Sequence, residues 1–254
     1  MPAKQERREA ETALHSAIRD LRVDEVARFS SEGVDPNAFD DKSRNFQYAF
    51  TALCNAISIA GDTLSPSHAQ YLEVVNELCR DQPRRDAQVN RAKAVEIIRL
   101  LLRAGADPSR ATRTRTPLNL AVHLGDTEVV RLLLEAGADP AGPCWSPMSK
   151  LPRPRGGLAF FANAIHEAAS GYFDILKLLC ARGARTDVRD HEGRTPLHIA
   201  VGYGQTQIVK MLCSFGADFT AKTREGQTAL QIACGRGYLE IEQVLRQYEK
   251  APAK

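Results

Sequence analysis

One short pattern recurs along the chain at a nearly fixed interval and limits the fold more than any bulk property does. Arg194-Thr195-Pro196-Leu197-His198-Ile199-Ala200 is answered 33 residues later by Thr228-Ala229-Leu230-Gln231-Ile232-Ala233. Earlier versions are Thr116-Pro117-Leu118-Asn119-Leu120-Ala121, Thr51-Ala52-Leu53-Cys54-Asn55-Ala56 and Thr12-Ala13-Leu14-His15-Ser16-Ala17. Thr caps a helix by accepting a backbone N–H, and Pro suits the first helical position, where its missing donor is no loss. Leu starts the buried stripe, and the small Ala lets two helices approach closely. Self-similarity at this period marks a repeat architecture, in which each unit buries its apolar face only against its neighbours.

A second mark follows each copy by about twenty residues: Leu132-Leu133-Leu134-Glu135-Ala136-Gly137-Ala138-Asp139-Pro140, then Leu178-Leu179-Cys180-Ala181-Arg182-Gly183-Ala184 and Met211-Leu212-Cys213-Ser214-Phe215-Gly216-Ala217-Asp218. Gly supplies the left-handed residue that ends a helix. Motif, period and stop together resemble the ankyrin repeat, over most of residues 10 to 248. The resemblance implies an all-α solenoid of helix-turn-helix units, with loops projecting as β-fingers along one edge of a concave surface.

Six repeats are expected within a single domain spanning 1–254, at approximately 10–38, 39–109, 110–141, 142–188, 189–220 and 221–248. The second is irregular. From Gly33 to Gly105 there is one leading-helix signal, Thr51 to Ile57, but there are two second-helix signals, Glu73 to Cys79 and Glu96 to Leu102. The latter matches Glu128 to Leu134 at an interval of 32. Residues 62–93 therefore read as an insertion with a helix over 67–81, capped by Ser65 and started by Pro66; a squeezed extra repeat is the alternative. Between repeats three and four a long loop covers 140–162. In repeat four, Ile165 stands where Leu usually does, and one residue is missing before Gly171.

With nine Phe, six Tyr and one Trp, a 43% hydrophobic chain must build its core from Leu, Ile, Val and Ala. The sequence lacks an apolar run of eighteen and an apolar leader, so an intracellular protein is expected, cytoplasmic or secondarily nuclear, with no membrane partner. The six cysteines fit buried thiols in Leu-like slots rather than zinc or redox pairs. Catalytic, phosphate-binding and zinc motifs are missing, so the expectation is no enzyme, no cofactor and no metal. His15, His166 and His198 occupy a slot where, on the ankyrin resemblance, a structural His bonds backbone or a neighbouring Thr. Asp107, Asp139, Asp187 and Asp218 follow the stops as turn residues.

Charge is distributed unevenly over the loops. Between Asp107 and Asp126 lie Arg110, Arg113 and Arg115 with no acid; between Asp139 and Glu167 lie Lys150, Arg153 and Arg155, again with no acid. The whole protein is only +3. These six cations, with Trp145 as an anchor and with Arg194 and Arg224 on later fingers, form the candidate site for an acidic protein segment. The expected molecule is a monomeric scaffold, adaptor or inhibitor. A nucleic acid or phosphate ligand on the same cations, or docking on an enzyme as a regulatory or effector subunit, is the competing reading.

Overall fold

The computed structural model describes residues 2–38, 51–62, 87–110, 116–142 and 163–250. They form two compact units, one ending at Ala138 and the other starting at Asp139. In the first, α1 (Pro2–Arg19), α3 (Ala52–Asp62) and α5 (Pro117–His123) pack as one row, and α2 (Val23–Ser31), α4 (Ala87–Arg103) and α6 (Thr127–Glu135) as a second row behind it. The second unit repeats the scheme: α7 (Ala164–Ala168), α9 (Pro196–Gly202) and α11 (Ala229–Arg236) in front, α8 (Phe173–Ala181), α10 (Thr206–Ser214) and α12 (Leu239–Lys250) behind. Each unit is therefore a two-layer stack of helix pairs, the architecture the period called for.

The motif positions carry the packing. Ala17, Ala56, Ala121, Ala168, Ala200 and Ala233 are all fully buried. One slot thus holds a small residue in six consecutive leading helices, where a larger side chain would force the rows apart. Gly61 serves the same closeness between α3 and α5: a Cβ there would overlap the Leu124 side chain. Leu14, Leu53, Leu118, Ile165 and Leu197 fill the large slot at 2% exposure or less, each worth roughly 2–5 kcal/mol if cut back to Ala. Ile165 takes the Leu position without leaving the core.

Thr51, Thr116 and Thr228 cap their helices, accepting from Cys54, Asn119 and Gln231 backbone N–H groups at 3.3 Å. Thr12 does not cap, because α1 runs through it from Pro2; the upstream Lys4–Glu11 run consists largely of good helix formers and nothing stops the helix there. The stops at Gly33, Gly105, Gly137, Gly183 and Gly216 all have positive φ, between 76° and 92°. At the tighter turn inside each pair, Gly125, Gly204 and Gly237 are left-handed too, but repeat one places Leu21 there at φ 54°. That backbone costs a non-Gly residue about 1–2 kcal/mol, and the burial of Leu21 opposes it.

The missing residue of repeat four shortens its leading helix to five residues, against seven in α9. The turn then closes with Tyr172 N–H on Ala168 O, four residues back, where Gln205 N–H reaches Ala200 O, five back. α4 departs from expectation in the other direction. It starts at Ala87, inside the stretch assigned to the insertion, because no Gly or Pro interrupts 87–103. The expected 67–81 helix and the 143–162 part of the long loop lie outside the described residues.

Candidate functional site: the finger edge

Where the finger loops are described they are short turns, and Lys222 and Thr228 form an isolated antiparallel bridge. Four of them begin with an aspartate folded back on its own chain. Asp35, Asp107, Asp139 and Asp218 accept the backbone N–H two residues on, at 2.8–2.9 Å, so these turn assignments hold. Asp187 differs: it pairs with Arg185 at 2.8 Å, since Arg185 occupies the usual Asp slot.

In the first unit the loops are joined by one amide. Asn37 donates to Gly105 O at 3.2 Å and accepts from Asp107 N–H at 2.8 Å, which locks the stop of repeat one onto that of repeat two. Arg110 closes this loop, exposed, its N–H on Asp107 O at 3.3 Å. Arg113, Arg115, Trp145, Lys150, Arg153 and Arg155 lie outside the described residues.

In the second unit residues 163–250 are described without a break, and their geometry separates the remaining two candidates. Asp190 is buried and takes the Glu192 and Arg194 N–H groups on Oδ1, both at 2.8 Å, and Arg194 Nε on Oδ2 at 2.8 Å. Arg194 also pairs with Glu192 at 2.8 Å. Burial pushes the Asp190 carboxyl up, but the hydrogen bonds from the Arg194 guanidinium and the two amides outweigh it and hold the group below its ordinary value. Arg194 is thus committed to shaping its own finger. Arg224, by contrast, is exposed with no partner for its guanidinium among the described residues, while its N–H donates to Glu192 O of the preceding finger at 2.9 Å. Lys222 is exposed and equally unpaired.

Sequence reasoning missed Arg189. Its Nη1 donates to Gly193 O at 3.1 Å and to Lys222 O at 2.6 Å, so it bolts two consecutive fingers together. The signal was present: Arg189 stands one period before Lys222. Gly193 permits the contact. At φ 73° it adopts a backbone other residues avoid, and a Cβ would press on Arg224 N at 3.1 Å. Arg189, Lys222 and Arg224 therefore sit on a pre-ordered double finger.

The histidines are struts for these loops. His198 Nδ1 accepts from Thr195 N–H at 3.2 Å and lies 2.8 Å from the Thr195 hydroxyl, which leaves Nε2–H to donate to Gln227 O at 3.3 Å. His166 Nε2 is 3.1 Å from both Val188 O and Arg194 O. Asn163 stands in the Thr slot of that repeat and spends its amide on Ala141 O and Gly142 O, so the His166 Nδ1 atom is buried without a partner. His15 bonds Ala38 O at 3.1 Å and Asn55 at 3.0 Å. Burial lowers the pKa of both His166 and His198. Cys54, Cys180 and Cys213 are buried thiols pushed up to about 11 by burial, whereas Cys234 is exposed on α11. Among the described residues no three His, Cys, Asp or Glu side chains are grouped to hold a metal, and no helix is long and apolar enough to cross a membrane.

Stacked helix pairs with interlocked loops define a repeat protein of the interaction class. The comparisons agree. The profile described as ankyrin repeats, three copies, matches residues 162–253, and the single ankyrin repeat profile matches 114–142. The chain is 37% identical to cyclin-dependent kinase 4 inhibitor B of Bos taurus over 124 residues, which are 47% of this chain and 84% of the bovine protein. The chain belongs to the ankyrin repeat family, and its function is protein–protein interaction.

Proposed function

We propose that this protein is a non-enzymatic scaffold, adaptor or inhibitor, acting as a cytoplasmic monomer that holds an acidic segment of another protein against its finger edge. The observation that carries the reading is the bolted double finger: Arg189 and the Glu192–Arg224 backbone bond fix two loops, and Lys222 and Arg224 project from them unpaired. A surface ordered before binding loses little conformational freedom on association. The charge excess of Arg110, Arg113, Arg115, Lys150, Arg153 and Arg155 supports the same partner chemistry, with Trp145 as an aromatic anchor. The name of the bovine relative, an inhibitor of a kinase, supports the inhibitor form: a protein that works by occupying its target rather than by turning over a substrate.

The test is capture of partners from native lysate on the immobilised full chain, beside Arg113→Ser/Arg115→Ser/Arg153→Ser/Arg155→Ser, with a nuclease-treated arm. A protein retained by the parent, lost by the variant and indifferent to nuclease is the expected result. Capture that requires nucleic acid and falls steeply with salt overturns the reading in favour of phosphate binding. Undiminished capture by a variant with unchanged melting removes the first two basic loops from the site.

A further inference from the structure

The second repeat carries a device at the end where its two helices meet. α4 is 17 residues long against nine for its counterpart α6, and the additional turns are N-terminal. Residues 88–93 bury no side chain; the first buried positions are Ala94 and Val95, and Val89 is 51% exposed. Two turns of helix with no apolar footing are marginal in water. Among the described contacts, the first two turns are tied down by a single side chain, Arg91.

Arg91 Nη2 grips both oxygens of Asp126, at 2.9 and 3.1 Å, and Nη1 reaches Glu128 at 3.0 Å. Arg99, two turns further along α4, takes the other Glu128 oxygen at 3.0 Å and also pairs with Glu96 at 3.4 Å. Asp126 is 2% exposed and caps α6 by accepting Val129 N–H at 3.1 Å. Arg91 is 26% exposed and so within reach of solvent ions. The grip therefore anchors the arm to a carboxylate that is already fixed by the α5–α6 turn, while the repeat core begins only at Ala94.

We propose that residues 87–93 are a docked arm, closed by an electrostatic latch of Arg91 on Asp126 and Glu128, which opens without unfolding the repeats behind it. Anions that compete for the Arg91 guanidinium open it.

Hydrogen–deuterium exchange of the full chain, followed by mass spectrometry, tests this. Arg91→Met keeps the aliphatic stem and removes the donors; amides 91–93, the first in α4 with intrahelical acceptors, should exchange at least about tenfold faster, with α5 and α6 unchanged, since frayed turns exchange through local opening. Salt near 1 M, where the Debye length is about 3 Å, should shift the parent protein part of the way. Arg99→Met, which loses Glu128 but leaves the Asp126 grip, should leave amides 91–93 unchanged. Unchanged exchange in Arg91→Met overturns the proposal. So does acceleration spread through α5 and α6, or failure of that variant to fold, because either places Arg91 in the core of the fold.

Discussion

Arg91 and Arg194 make the same kind of contact at different places in the fold. Each guanidinium meets an aspartate that is almost wholly buried, Asp126 and Asp190, and each aspartate also accepts backbone N–H groups. Each also leaves one guanidinium nitrogen buried with no partner among the described residues. The separation in sequence is where they differ. Arg194 closes on a residue four positions away inside one finger, whereas Arg91 reaches across 35 positions to the next helix pair. The local clamp shapes a loop, and the distant one pins an arm. In both cases the cation is engaged by the protein's own carboxylates, so counting basic residues overstates the charge a surface offers.

The comparison breaks most visibly at Asp190. Asp190→Ala removes three hydrogen bonds and leaves Arg194 beside an emptied site; a loss of about 3 kcal/mol is expected for breaking a buried pair, read by chemical denaturation. Asp126→Ala should cost less, about 2 kcal/mol, because Glu128 retains Arg91 and the loss is chiefly a helix cap plus one ionic contact. Asp126→Asn, which keeps a cap acceptor, should recover part of it.

Acid acts on the buried histidines before it reaches Asp190. His166 and His198 are neutral in the fold with lowered pKa values, while in the unfolded chain a histidine protonates near 6.5. Between that value and the lower folded ones the unfolded state binds more protons, so stability falls as pH drops through this window and then levels. His198→Gln should flatten this first step. Asp190, held below its ordinary value, adds a second loss only as pH falls below about 4. A denaturation series from neutral pH downward separates the two. The smallest effect is expected at Lys210–Glu240, an exposed 2.9 Å pair; Lys210→Met should shift stability by no more than about 0.5 kcal/mol.

The parts of the fold legible in sequence were those written locally and repeatedly. The Ala slot, the Gly stops and three of the Thr caps each follow from a residue's own backbone or a neighbour within one repeat, whereas the histidines were legible by their motif slot alone, since His166 and His198 find acceptors in the next repeat. Leu21 was not legible as a left-handed residue, since its conformation is enforced by burial around it. The start of α4 was hidden because 87–95 mixes good helix formers with Val89, Asn90 and Val95 and carries no cap signal at Ala87, and Arg91 finds its carboxylates only once two repeats stack. On the finger edge, Arg224 and Arg194 looked alike as basic loop residues. Only Asp190, which folds back onto Arg194, separates one from the other, and Arg189 acquires its role through a carbonyl 33 residues away.

On the proposed reading, the finger cations not spent on the protein's own carboxylates make the binding edge. The direct measurement is partner capture by Lys222→Glu/Arg224→Glu beside Arg194→Gln, with melting recorded for both. The double reversal should lose the captured protein at unchanged melting temperature, whereas Arg194→Gln should lower the melting temperature and retain capture in the cold. Full capture by the double reversal at unchanged melting temperature would contradict the claim.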